Sequence, residues 1–356
     1  MRHPHLQVLE LIRSGERIVW ATLIRTKGST PQIPGSNTIF GNHGLITGTV
    51  GGGVMEAETG RLAAGMLDKG TCSLHRFNLD SEEGSEGAIC GGEAEIVLDA
   101  NPSINIHALE SLKESLSRRL GGKLLTLVGK ETEEGRRVER YWIEGADISS
   151  LPLQIRNLIG KAVRNLPEER SRSGPELEEI PVQAESPFEI AYVEHLHPLP
   201  RLIIAGAGHL GRALSHLGML LDFEVTVIDD RPEYANPVNL PDADHIVVDD
   251  IGRSMEDVKP DSDTYCVIVT RGHLQDGYAL RPLVGSGAAY VGMIGSRHKV
   301  GIMKKRFLDK GWATPEQWEG IHAPVGLPIG SKTVQEIAIS IAGQLVEVRN
   351  KSIKKW

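Results

Sequence analysis

Apolar positions in the C-terminal half fall into short continuous runs separated by helical stripes. "RLIIAGAG" (201–208), "FEVTVIDD" (223–230), "ADHIVVDD" (243–250), "DTYCVIVT" (263–270) and "AAYVGMIG" (288–295) each read as a strand buried on both faces. Between the first two, Leu210, Leu214, Leu217 and Leu221 recur at helical spacing. The last run opens through Ser296 onto the helix "RHKVGIMKKRFLDKG", and strand–helix alternation of this kind predicts a parallel, doubly wound sheet. Two further helix starts are marked by capping chemistry. Thr314-Pro315-Glu316-Gln317 places Thr at the cap and Pro at the first helical position, and Thr333 with Glu336 precedes a helix carrying Val334, Ile337, Ile341 and Leu345 on one face.

The N-terminal half is patterned differently. "RIVWATLIRTKG" reads as a strand, "GSTPQIPGS" (28–36) as a loop, and "NTIFGNHGLITGTVGGG" as a hairpin turning near Asn42–Gly44. A helix follows over 54–70, then strands over 72–79 and 93–100 flanking the polar loop "DSEEGSEGAICGG". Two more strands joined by a charged turn occupy 123–145, and another lies in "PFEIAYVEHLHPLPR". These elements predict an α+β domain with an antiparallel sheet. Residues 166–183 are polar and weakly patterned and are expected to be a surface loop. The expected division is a domain over 1–197 and a Rossmann-like domain over 198–356.

Composition narrows the function classes. A chain of 356 residues with 40% hydrophobic and 24% charged residues suits two globular cores. A net charge of −8 without a basic run before the tail "RNKSIKKW" argues against generic nucleic-acid binding. No apolar run has membrane-spanning length, and the N-terminus lacks the apolar core of a signal peptide, so a cytoplasmic protein is expected. Cys72, Cys90 and Cys266 are too widely spaced for a disulfide framework or a zinc motif.

Gly206-x-Gly208-x-x-Gly211 stands between a strand and a helix. The first glycine permits the tight turn, the second lets the backbone approach a pyrophosphate, and the third lets the helix pack on the sheet. Asp229 and Asp230 end the next strand, where a carboxylate can accept from ribose hydroxyls; this favours NAD over NADP, a preference tempered by Arg231. His273 and Asp276 follow the fourth strand and are read either as a proton-handling pair or, for Asp276, as a helix cap. Ser296 and Arg297 form an anion-friendly helix start, and no Tyr-x-x-x-Lys or other standard hydride-transfer set is present.

Gly51, Gly52 and Gly53 precede a helix and read as either a tight turn or an anion cradle. The absence of a following Lys-Ser/Thr removes the P-loop reading, and Glu56 in the first turn would repel an anion. Cys90, in "AICGG", is the thiol whose setting suggests access, whereas Cys266 lies in an apolar strand.

In combination these motifs are more specific. "GSTPQIPGS", "GTVGGGVMEAE" and "AICGG", followed by "GAGHLGRAL", "VTVIDDRPEYAN", "TRGHLQD", "YVGMIGSRHK" and "IHAPVGLPIGSKTVQEIAISIAGQLV", resemble the xanthine dehydrogenase accessory protein family, XdhC/CoxI, in the same order over nearly the whole chain. The resemblance implies an N-terminal XdhC/CoxI domain and a C-terminal Rossmann domain able to bind NAD or NADP. It also implies an accessory factor for molybdenum hydroxylases that binds molybdenum cofactor, supports its sulfuration by a cysteine desulfurase, and delivers it to xanthine dehydrogenase. By that reading the protein is a cofactor-insertion chaperone more than a turnover enzyme. Gly51, Gly52, Gly53 and Cys90 would face the cofactor, with Cys90 as a candidate molybdenum ligand. Many members carry cysteine directly after the triple glycine; this chain has Val54, which leaves Cys90 as its only loop thiol. A homodimer, an NAD(P)-dependent oxidoreductase and a non-catalytic nucleotide-sensing scaffold remain open alternatives.

Overall fold

The computed structural model describes residues 3–78, 92–133, 135–145, 147–164, 166 and 177–351. The chain divides into two compact units, Met1–Pro198 and Leu199–Trp356.

The N-terminal unit begins with α1 (Pro4–Arg13), β1 (Val19–Gly28) and the hairpin β2 (Asn37–Gly41) and β3 (Gly44–Gly48). It continues with α2 (Gly53–Met66), β4 (Cys72–Asn78), β5 (Gly92–Asp99) and α3 (Ile106–Ser117). Then come β6 (Gly122–Gly129), β7 (Val138–Glu144), α4 (Leu153–Arg164), β8 (Leu177–Ile180) and β9 (Phe188–Leu196). The strands form two antiparallel sheets, ordered β3-β2-β1-β5-β4 and β7-β6-β9-β8, where the chain pattern suggested a single sheet.

Alternation along β1 explains the layering. Val19, Ala21 and Leu23 pack on Met55, Ala63 and Met66 of α2, while Trp20 packs with Leu124 and Trp142 of the second sheet. The far face of that sheet, including Leu125, Leu127 and Val193, is covered by Ile155, Ile159 and Val163 of α4. The two sheets are therefore sandwiched between two helices. Helix α4 spaces its buried residues by four, yet it follows the charged β6–β7 hairpin and is not evident from the linear pattern.

The expected loop over 166–183 needs correction. Leu177–Ile180 pairs with β9, from Leu177↔Glu194 to Ile180↔Ala191. As a four-residue edge strand it has a partner on one side only, and Glu178 and Glu179 mask its apolar ends.

The interior between the sheets is polar as well as apolar. The Arg140 guanidinium, fully buried, pairs with the Asp99 carboxylate and lies 4.0 Å from the Trp20 ring centre. Asp99 also accepts from the Cys72 thiol at 3.1 Å and from the Asn101 amide at 2.9 Å. Burial and the Asp99 charge push the Cys72 thiol well above its usual range, so this cysteine is not a nucleophile.

The C-terminal unit contains β10 (Arg201–Ala205), α5 (His209–Leu220), β11 (Glu224–Asp229), β12 (His245–Val248), α6 (Ile251–Asp257) and β13 (Thr264–Ile268). It ends with α7 (His273–Leu280), β14 (Tyr290–Met293), α8 (Arg297–Asp309), α9 (Pro315–Glu319) and α10 (Val334–Lys351). The five strands form one parallel sheet, ordered β12-β11-β10-β13-β14, and the order reverses between β10 and β13. Successive residues feed opposite cores. Leu202 and Ile204 join Leu214 of α5 and Ile341 of α10, whereas Ile203 and Ala205 join Met255, Leu280 and Met303. Both capping boxes form, with Thr314 against Gln317 and Thr333 against Glu336. Among the described residues no helix is long and apolar enough to cross a membrane.

Candidate functional site

In the C-terminal unit the strand order reverses between β10 and β13, and the glycine loop follows the carboxyl end of β10, the position at which such sheets bind ligands. The three glycines of the loop there have three distinct constraints. Gly206 has φ 119°, and a Cβ on it would stand 2.6 Å from the Val269 carbonyl oxygen. A Cβ on Gly211 would stand 1.9 Å from the Gly206 carbonyl oxygen, so the helix rests directly on the turn. A Cβ on Gly208 would meet nothing within 4 Å. Gly208 is also the N-cap of α5 and supplies no side-chain cap, so no cap side chain takes the first amides of the helix. This arrangement suits a pyrophosphate at the helix start.

Asp229 is differently placed from the expectation. It is 1% exposed; its Oδ2 accepts from the Ala207 amide at 2.7 Å and from Arg231 Nη2 at 2.8 Å, and its Oδ1 accepts from Arg231 Nε at 2.8 Å. Burial alone would raise its pKa, but these donors outweigh burial and hold the carboxyl below its ordinary value. Asp229 thus stabilises the glycine loop as an anion, a contribution present at neutral pH and lost as pH falls through its depressed folded pKa. The Arg231 guanidinium, clasped this way, lies 4.1 Å from the centre of the Tyr234 ring. The exposed neighbour Asp230 accepts from Arg271 at 3.1 Å and Gln275 at 3.3 Å.

Asp276 needs a correction too. The N-cap of α7 is Gly272, with no side-chain cap, so Asp276 does not cap the helix. It is fully buried; Thr270 Oγ1 donates to its Oδ1 at 2.6 Å, and Lys299 Nζ of α8 pairs with its Oδ2. Both carboxylate oxygens are therefore engaged by groups other than His273. His273 opens α7, and its side chain lies outside the described set. Ser296 caps α8 by accepting from the Lys299 amide at 3.2 Å, and Arg297, the first residue of that helix, is exposed. The linear motif shows Lys299 but not its partner, which lies 23 residues away on another helix. Cys266 is buried in β13, which pushes its thiol to about 12.

In the N-terminal unit the glycine run has φ values of 134°, 67° and 53° at Gly51, Gly52 and Gly53. All three are left-handed, which explains why three glycines stand together. The roles differ along the run. A Cβ at Gly51 would stand 2.5 Å from Met55 Cε and 2.7 Å from Pro31 Cγ, so the "GSTPQIPGS" loop packs directly on this residue. Gly52 and Gly53 face open space, and Gly52 caps α2 without a side-chain bond. Thr49 Oγ1 accepts from the Gly51 amide at 3.1 Å and donates to Glu56 at 2.8 Å, which ties the acidic side chain of the first turn to the loop. Val54 is 48% exposed.

A third motif meets the same place. Gly92 pairs with Gly28, and a Cβ on Gly92 would stand 2.6 Å from the Ser29 carbonyl oxygen. "GSTPQIPGS" is thus flanked by the triple glycine and by the start of β5. Cys90 lies outside the described residues. Among the described residues no three His, Cys, Asp or Glu side chains converge as metal ligands.

The tight packing at Gly51 makes a prediction. Gly51→Ala is expected to lose about 1–3 kcal/mol from backbone strain and overpacking. Gly65→Ala, in the exposed interior of α2 with nothing within 4 Å, is expected to gain about 0.5–1 kcal/mol. Urea unfolding of the two variants checks this; equal stabilities would show that the loop relaxes freely.

Residues 202–345 match the family described as the XdhC Rossmann domain, and residues 11–78 match the XdhC and CoxI family. The chain belongs to the XdhC/CoxI family. It is 23% identical over 354 residues to a Bacillus subtilis (strain 168) protein described as a probable xanthine dehydrogenase subunit, covering 99% of both chains. It is 36% identical over 154 residues to the uncharacterized protein YqeB of Escherichia coli (strain K12), a match covering 42% of this chain and only 28% of YqeB. Its fold is similar to the crystal structure of a xanthine dehydrogenase from Bacillus halodurans, with a TM-score of 0.73, 23% identity, and coverage of 99% of this chain and 97% of that one.

Proposed function

We propose that this XdhC/CoxI protein is an accessory factor in the maturation of a molybdenum hydroxylase of the xanthine dehydrogenase type. It binds molybdenum cofactor as cargo, supports its sulfuration by a cysteine desulfurase in the cytoplasm, and inserts it into the hydroxylase. The observation that carries this reading is the presence of both family domains in one chain, together with full-length similarity to a relative whose description places it with xanthine dehydrogenase.

The loops of the N-terminal unit fit a cargo with a phosphate. Gly52 and Gly53 leave open space at an α2 start that no side chain caps. Their backbone amides would hold the phosphate end, and Glu56 is restrained by Thr49. With Val54 in place of the thiol often found there, Cys90 is assigned the sulfur chemistry; a soft thiolate suits molybdenum. In the C-terminal unit, open space at Gly208 and the uncapped start of α5 fit an NAD or NADP pyrophosphate. With Asp229 already occupied, the dinucleotide would be held by backbone amides, as a regulatory ligand of a chaperone.

The test is genetic and biochemical together. Removing the chain from its host should abolish hydroxylase activity while the hydroxylase polypeptide still accumulates, and wild-type chain should restore the activity. Cys90→Ser should accumulate as folded protein and fail to restore it. Full restoration by Cys90→Ser would remove the thiol from the mechanism, and unchanged activity without the chain would overturn the reading.

A further inference from the structure

Helix α5 turns one side to the sheet. Gly211 rests on the Gly206 carbonyl, Gly218 rests on Leu202 and Val225, and Leu214 is in the core. Helical spacing therefore carries His209, Arg212 and His216 to the side facing away from the sheet. There they line a groove of about 430 Å³ together with Leu240, Pro241 and Asp242 and with Val334 and Gln335 at the start of α10.

The groove is polar in a particular way. Arg212 and His209 are exposed, and neither side chain has a hydrogen-bond or ion-pair partner among the described residues. Asp242, the carboxylate in the lining, accepts from His216 Nδ1 at 3.0 Å, which orients that ring. Ser215 lines the groove while only 1% exposed, and its hydroxyl has no partner among the described residues. A buried hydroxyl left this way is destabilising unless something accepts or donates to it.

We propose that this groove binds a phosphate-bearing small molecule. The guanidinium of Arg212 matches two phosphate oxygens in its fork geometry, and His209, the Ser215 hydroxyl and the Gln335 amide supply further donors. A carboxylate ligand would leave part of that donor set unused, whereas a phosphate has oxygens for all of it. Leu240, Pro241 and Val334 give the rest of the ligand an apolar wall, and the volume suits a metabolite and not a macromolecule. None of the three glycines of the Gly206–Gly211 turn is among the residues that line the groove.

The test uses the full chain with isotope-labelled histidines, titrated with ribose 5-phosphate, ribose and inorganic phosphate. Imidazole signals of His209 and His216 are expected to shift saturably with ribose 5-phosphate and not with ribose. Arg212→Ala should weaken that binding at least about tenfold while NADH titration is unchanged, and Gly208→Val should keep the phosphate response. Equal affinity for inorganic phosphate assigns the groove to the free anion, and tighter binding of ribose 5-phosphate assigns it to a phosphorylated metabolite; both support the proposal. No saturable shift with either, or wild-type affinity in Arg212→Ala, overturns it.

Discussion

Gly208→Val is expected to abolish NADH binding without unfolding the protein. A Cβ at this position meets nothing within 4 Å, so the protein itself tolerates the side chain. The space it fills is the space a pyrophosphate needs at the start of α5, and affinity should fall at least about a hundredfold as the phosphates lose the helix amides. Gly211→Val is the counterpart. Its Cβ would fall 1.9 Å from the Gly206 carbonyl oxygen, so that variant should lose the fold of the C-terminal unit. Fluorescence titration of NADH and circular dichroism separate the two outcomes. Unchanged NADH affinity in a folded Gly208→Val protein would remove the dinucleotide from the account.

Asp99→Ala is expected to have the largest effect on stability in the N-terminal unit. It would leave the Arg140 guanidinium, 0% exposed, without its counter-ion between the two sheets. Breaking a buried pair on one side is strongly destabilising, about 3–5 kcal/mol. The double variant Asp99→Ala with Arg140→Met should recover most of the loss, since no buried charge remains. Urea unfolding measures both. A single variant within about 1 kcal/mol of wild type would mean that water or another group already compensates Arg140.

These two effects differ in how far the chain itself announces them. The role of Gly208 is written within six residues, because a strand end, a turn and a helix start are consecutive along the chain. The parallel sheet was legible for the same reason: each buried strand is short, continuous and bounded by its own turn. The pairing of Asp99 with Arg140 was not legible, because it joins strands of two different sheets. The division into two sheets was hidden likewise, since β1 pairs with β5 across the intervening hairpin and helix. Edge strand β8 carries two glutamates in its four residues and shows no alternation to read. At the candidate site, spacing indicated Asp229 and Asp276 but not what they touch. Arg231 clasps the first and Lys299 the second, and both contacts arise from folding, not from local pattern. The triple glycine lies between these cases. Its φ values account for glycine at all three positions, but only Gly51 is needed for packing, and Gly52 and Gly53 remain open to solvent or ligand.

The central claim is that the chain carries molybdenum cofactor. Its most direct measurement is the pterin content of the full chain, purified anaerobically under reducing conditions from cells that make the cofactor. The account predicts molybdopterin in near-equimolar amount, reduced in Cys90→Ser. No pterin in the wild-type chain under those conditions would contradict it.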